Sequence, residues 1–290
     1  MRKFNVFDGL IYSAISVYSI ICLVPMLLVV AVSITKETAI ISSGYRLIPE
    51  EFSLEAYRLV LGQGTSVSRS YVVTIVVTLT GTLVAVLMTS MAGYTLANKN
   101  IRYRDGLALF FFITMVFNTG VVPWYLVSFN LGFHDNLLAL IIPGMIFSPF
   151  NLFLVRNYMR SIPDSLMESA MIDGAGDFKI AYKIYLPLCL PVLAVVALFY
   201  GLAYWNNWWN AIMLINNRSL YPLQYLLFQL QSELQMIADL QQTGGAAVRT
   251  LPTESLKMAT AVVTIGPIIF MYPYLQKYFI KGLIIGSVKG

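Results

Sequence analysis

The sequence predicts an all-α polytopic membrane protein with six transmembrane helices, and three observations carry that reading. Of the 290 residues, 58% are apolar and only 11% charged, with a mean hydropathy of +0.73. Soluble domains carry about 25% charged residues, so this chain cannot clothe a globule of its size in polar surface and must face lipid. Second, six stretches free of Asp, Glu, Lys and Arg reach the roughly 20 residues a helix needs to cross a bilayer. They are Gly9–Thr35, Ser70–Asn98, Gly106–His134, Asn136–Val155, Ile184–Asn217 and Met258–Gln276. Third, none of them reads as the short alternating segments of about 10 residues that build an outer-membrane barrel. The same composition excludes disorder, and a net charge of +5 thinly spread along the chain argues against a nucleic-acid partner.

Taken in order, the helices fall at about 10–34, 70–97, 106–129, 136–158, 187–213 and 258–281. They form one transmembrane domain over 10–281, after an N-terminal segment 1–9 and before a tail 282–290. Arg2 and Lys3 before the first helix, and Ala31-Val32-Ser33 within it, resemble a signal peptide, but the apolar run is too long for one and the helix is expected to stay. Pro25, Pro143, Pro149, Pro191 and Pro267 lie in or near the spans, where neighbouring helices can satisfy the freed carbonyls. Placing both termini in the cytoplasm puts 12 of the 19 Lys and Arg inside, among them Lys99, Arg102 and Arg104 in one short loop. The 130–136 turn on the other side has none, as the positive-inside rule requires.

Most enzyme chemistry is missing. His134, the one histidine, sits beside Asp135 in an outer turn and reads as a solvated or locally bonded residue. Cys22 and Cys189 have neither ligand spacing nor a second pair and read as small membrane-buried residues. No phosphate-binding loop of the G-x-x-x-x-G-K-[ST] kind, no G-x-S-x-G elbow and no H-E-x-x-H pair occurs. The spans contain no ionisable group to carry a proton, although sodium coupling through carbonyls and Asn stays open. Two rivals are therefore carried along: an ion-coupled carrier and a membrane-embedded enzyme acting on lipid-linked sugars.

The segment 161–186 between the fourth and fifth spans is the informative one. Ser161-Ile162-Pro163-Asp164 reads as a helix start, with Ser161 as cap. Leu166, Met167, Ala170 and Met171 then share one face, and Ser165, Glu168, Ser169 and Asp173 the other. Gly174-Ala175-Gly176 ends that helix, and Asp177 is placed to cap a second one bearing Phe178, Tyr182 and Tyr185. Anchoring on the membrane surface would account for an amphipathic helix, but not for a glycine elbow joined to a long span.

The run Glu168-Ser169-Ala170, three residues, Gly174, nine residues, Ile184, one residue, Leu186-Pro187 resembles the E-A-A-x3-G-x9-I-x-L-P signature of bacterial ATP-binding-cassette importer permeases, departing only at Ser169. The resemblance covers nearly the whole chain. Residues 49–57, 151–158, 204–210 and 276–290 are similar to the sugar-importer branch that includes the maltose transporter's smaller permease, and the ending to permeases for complex oligosaccharides, including plant-polysaccharide fragments. It implies a type I importer permease fold in the bacterial cytoplasmic membrane, in which 161–186 holds the coupling helix and Glu168, Ser169, Ala170, Asp173, Gly174 and Ala175 meet an ATPase subunit. It further implies a second homologous permease, two ATPase subunits that carry ATP and Mg, an extracellular or periplasmic sugar-binding protein, and no cofactor on this chain.

Tyr204, Trp205, Asn206, Asn207, Trp208, Trp209 and Asn210 offer aromatic faces for sugar C–H groups and amides for hydroxyls, with Asn118 and Asn151 as further path residues. Trp205, Trp208 and Trp209 are spaced to share one side of a helix, where an aromatic belt at the membrane surface is the competing reading. In the outer loop 214–257, Leu223, Leu226, Leu227, Leu230, Leu234 and Ile237 repeat at helical spacing. That helix could lie flat on the membrane. The resemblance implies that the loop meets the binding protein, which brings Gln224, Gln231, Gln235, Gly244 and Gly245 into play.

Overall fold

Apolar helices account for almost all regular structure in the computed structural model, which describes residues 6–62, 65–117, 119–242, 254–266 and 269. These residues group into two units by contact, those up to Ser68 with those from Leu227 to 266, and those from Arg69 to Leu226.

The first unit opens with α1 (Val6–Ser33), whose interior Pro25 the 28-residue helix accommodates. Its outward side chains, Cys22 among them, are exposed, as a lipid-facing helix requires. Two short helices follow, α2 (Glu37–Ser43) and α3 (Glu55–Gly62). An antiparallel bridge between Thr35 and Phe52 closes the loop around α2, and Lys36 Nζ lies 2.7 Å from Glu51. Glu37 caps the helix over 254–266: its carboxylate accepts from Glu254 N at 2.9 Å and from Ser255 N and Oγ at 3.0 and 2.9 Å. Ala56 and Val60 of α3 pack with Leu256 and Ala259 of that helix. The expected sixth span, 258–281, lies largely outside the described residues.

The second unit is built on α4 (Thr65–Ala97). Then come α5 (Arg104–Val116), α6 (Val121–Asn130), α7 (Leu137–Ile141) and α8 (Pro149–Met159). The segment beyond holds α9 (Asp164–Ile172) and α10 (Asp177–Ile180), which widens into a π-type turn over Ala181–Tyr185 and runs on as α11 (Leu186–Leu188). After a bend of 82° comes α12 (Leu190–Trp205), then α13 (Trp209–Leu214); α14 (Leu223–Gln242) starts in this unit and from Leu227 on belongs to the first.

Among the described residues, Gly9–Ser33 of α1 and Val67–Ala97 of α4 are each long and apolar enough to cross a membrane alone. Two further spans arise only if α5 with α6, and Asp177–Leu188 with α12, each act as one bent pair. The expected continuous helix at 136–158 is corrected: it is interrupted between Ile141 and Pro149. Pro143 has no N–H to continue a helix, and Gly144 at φ +72° turns the chain out of helical conformation. Asn136 caps α7 through Ala139 N at 3.0 Å, and Ser148 caps α8 with Pro149 in its first turn. The expected helix 187–213 is likewise divided, with α12 ending at Trp205 and α13 starting at Trp209.

Candidate functional site: the 161–186 segment and the break between α7 and α8

The segment 161–186 is two short helices around a glycine elbow. Gly174 takes φ +75°, Ala175 N donates to Ala170 O at 2.9 Å, and α9 so ends in a Schellman-type cap. Two expected caps are corrected. Ser161 Oγ turns back to Tyr158 O, leaving Pro163 at the cap position of α9, and α10 starts from Gly176 with no side-chain cap from Asp177. Glu168, Ser169, Asp173 and Gly174 are exposed together, whereas Ala170 packs inward with Met167, leaving Leu166 and Met171 outside. Ile172 and Phe178 are 87% and 73% exposed, so the segment carries apolar side chains on its outer side.

The break between α7 and α8 is held by side chains from a distant part of the chain. Tyr204 Oη donates to Ile141 O at 2.9 Å, Asn207 Nδ2 to Leu140 O at 3.3 Å, and Asn210 Nδ2 to Ala139 O and Pro143 O at 3.3 and 2.9 Å. Tyr200 Oη accepts from Ser148 N at 2.8 Å and shares a 2.7 Å bond with Thr89 Oγ1. These groups are buried. Buried irregular backbone needs partners for its polar groups, and these side chains supply them.

Beside the break lies a cavity of about 340 Å³ walled by Trp124, Pro143, Gly144, Met145, Trp209 and Asn210. Its volume is in the range of small-molecule sites, and its two indoles supply flat apolar faces. The expected Trp205, Trp208 and Trp209 face does not form, because the helix stops between Trp205 and Trp209: Trp205 is buried and the other two are partly exposed. Asn207 and Asn210 serve the backbone rather than an open path, while Asn206 is exposed and accepts from Gln224 Nε2 at 3.1 Å. Asn151 is buried in α8. Gln231 and Gln235 are exposed on α14, whereas Asn118, Gly244 and Gly245 lie outside the described residues. Trp124 was not singled out by sequence; its spacing from the 204–210 cluster gives no sign that the two would meet. His134 is locally bonded, with its ring against Phe129 and Nε2 3.2 Å from Asn216, and Asp135 accepts from Asn216 N and Asn217 N.

Residues 81–285 match the family described as the binding-protein-dependent transport system inner membrane component. This chain belongs to that family. It is thus a non-catalytic, multi-pass permease subunit of an ATP-binding-cassette importer in the cytoplasmic membrane, a member of complexes that include an ATPase and a binding protein. It is 38% identical over 291 residues to the polygalacturonan/rhamnogalacturonan transport system permease protein YtcP of Bacillus subtilis (strain 168), covering 99% of this chain and 100% of that protein. Protein LplC of the same organism is 36% identical over 291 residues, covering 100% of this chain and 96% of that one. The permease fold is shared with a chain in the crystal structure of a bacterial ABC transporter involved in the import of the acidic polysaccharide alginate. The TM-score is 0.83 at 29% identity, over 96% of this chain and all of that one.

Proposed function

We propose that this permease passes oligosaccharide fragments of a plant polysaccharide of the polygalacturonan or rhamnogalacturonan class into the cytoplasm by alternating access. The observation that carries the substrate class is the likeness to a permease of that transport system over nearly the whole of both chains. The cavity supports it, since sugars present C–H faces to aromatic rings and Trp124 and Trp209 offer two. In this reading six spans cross the membrane with 1–9 and 282–290 in the cytoplasm, and the loop 214–257 meets the binding protein through Gln224, Gln231, Gln235, Gly244 and Gly245. The exposed residues Glu168, Ser169, Asp173 and Gly174, with Ala175 beside them and Ala170 bracing the helix from beneath, form the contact with the ATPase. The complex holds a second homologous permease and two ATPase subunits, and ATP and Mg bind to the latter. Closure of the ATPase pair moves the coupling segment, and only contacts that differ between the inward and outward states can drive the switch.

The test is purification of the tagged chain from native membranes in mild detergent, with mass spectrometry of the associated proteins. An ATPase and a second permease are expected, and Glu168→Lys should release the ATPase. Recovery of the chain alone, at native expression level, would overturn the importer assembly. Uptake of radiolabelled oligogalacturonides by the reconstituted complex then tests the substrate class.

A further inference from the structure

The coupling segment is joined in sequence to α8 and α12, and Tyr185 and Asp164 also tie it in space to the C-terminal end of α4 and the loop after it. Tyr94, buried there, meets the ring of Tyr185 edge-on with centroids 5.1 Å apart. Both rings belong to the same large buried cluster as Met159, Met167, Ala170 and Ile180, which takes up the inward face of α9 and the start of α10. One residue earlier, a Cβ at Gly93 would stand 2.7 Å from Val155 Cγ1, which marks how closely α4 approaches α8. Five residues later, Lys99 forms an ion pair with Asp164, the first residue of α9. The loop that presents Lys99 is itself fixed, because buried Asn98 accepts from Asn100 N at 2.9 Å.

Two separated attachments, Lys99 at the start of the segment and Tyr94 near its end, prevent it from pivoting about either one. We propose that Tyr94 and Lys99 are positioning residues that make the end of α4 and the coupling segment a single moving body, so that a push on α9 reaches α4 directly as well as through the chain. This inference rests on the assignment of 161–186 as the ATPase contact. Tyr94 supplies the larger share by burial; Lys99 and Asp164 are exposed, and a pair of that kind sets register more than it adds stability.

The test uses the intact complex reconstituted in liposomes. Lys99→Cys with Asp164→Cys, in a Cys22→Ser background, is bridged by a short bis-methanethiosulfonate reagent and released by reductant, so each molecule is its own folding control. If the two elements move together, bridging leaves ATP hydrolysis stimulated by the binding protein within about twofold of the reduced value, no more than an exposed ion pair is worth. Arrest of hydrolysis that reductant reverses would show relative motion and overturn the proposal.

In parallel, Lys99→Glu should lower stimulated hydrolysis roughly two- to fivefold, and adding Asp164→Lys should restore it. An unchanged single variant, or a swap that fails to rescue, also counts against it. If Glu168→Lys keeps its ATPase, the coupling assignment itself fails. The bridging result would still report whether α4 and the segment move as one.

Discussion

Asn210 has two buried backbone carbonyls to serve, and no other side chain bonds to either among the described hydrogen bonds. Asn210→Ala should leave Ala139 O and Pro143 O unsatisfied at a cost of about 1–3 kcal/mol. The expected outcome is a lower melting temperature of the purified complex, whereas loss of uptake with an unchanged melting temperature would make Asn210 a sugar ligand instead. At Gly174 the constraint is backbone conformation alone, since a Cβ there would meet nothing within 4 Å while φ is +75°. Gly174→Ala should cost roughly 1–2 kcal/mol, and Gly174→Asn less, because Asn tolerates the left-handed region. Faster amide exchange at Ala175, whose N–H closes the cap, is the measurement. Equal exchange in all three proteins would remove the cap from the account.

At the scale of elements, the long apolar helices α1 and α4 and the glycine elbow were legible because lipid solvation and helix termination leave local marks: uncharged runs and a Gly-Ala-Gly turn. The break at 142–148 was not. Proline is tolerated in membrane helices, so Pro143 and Pro149 do not by themselves say where a helix stops. The groups that stabilise the break, Tyr200, Tyr204, Asn207 and Asn210, lie some 50 to 70 residues further along the chain. The same long-range character misled the reading of the amides, which look like free sugar ligands until their carbonyl partners are seen.

A second tertiary contact carries a pH signature. Tyr45 Oη donates to Glu254 at 2.6 Å, which together with burial pushes the phenol from 10.0 up to about 12. The same bond, aided by Lys257, holds the Glu254 carboxyl below its ordinary value of 4.5. A raised phenol stabilises fully below 10.0 and loses its contribution as pH climbs through about 12. A lowered carboxyl stabilises above its ordinary value and loses that contribution as pH falls through its folded value. Tyr45→Phe should therefore lower the melting temperature at neutral pH, and the gap from the natural protein should narrow on acidification below the usual carboxylate range. A gap that widens instead would reverse the sign assigned to Glu254.

Across the whole molecule, the proposed function divides the labour of an importer between two regions in a way that variants can separate. The surface of the 161–186 segment is exposed and partly apolar, as the proposed protein partner requires; the cavity beside the α7–α8 break has two indoles in its wall, as a sugar ring would use. Trp209 is 39% exposed and makes its described ring contact with Trp208, so its removal should leave packing nearly intact. Trp209→Ala should then lower oligogalacturonide uptake about tenfold, as loss of one stacking face worth about 1–3 kcal/mol would do, while the ATPase still co-purifies and hydrolyses ATP on stimulation. Trp124→Ala should behave alike, and the double variant should lose little more than either single one if both rings hold the same sugar unit, since groups sharing a partner are not additive. Glu168→Lys should show the opposite pattern, with the ATPase released and the cavity unaltered. If Trp209→Ala instead releases the ATPase, or if uptake is unchanged while Glu168→Lys behaves as expected, the cavity is not on the path and the sugar must be held elsewhere in the complex.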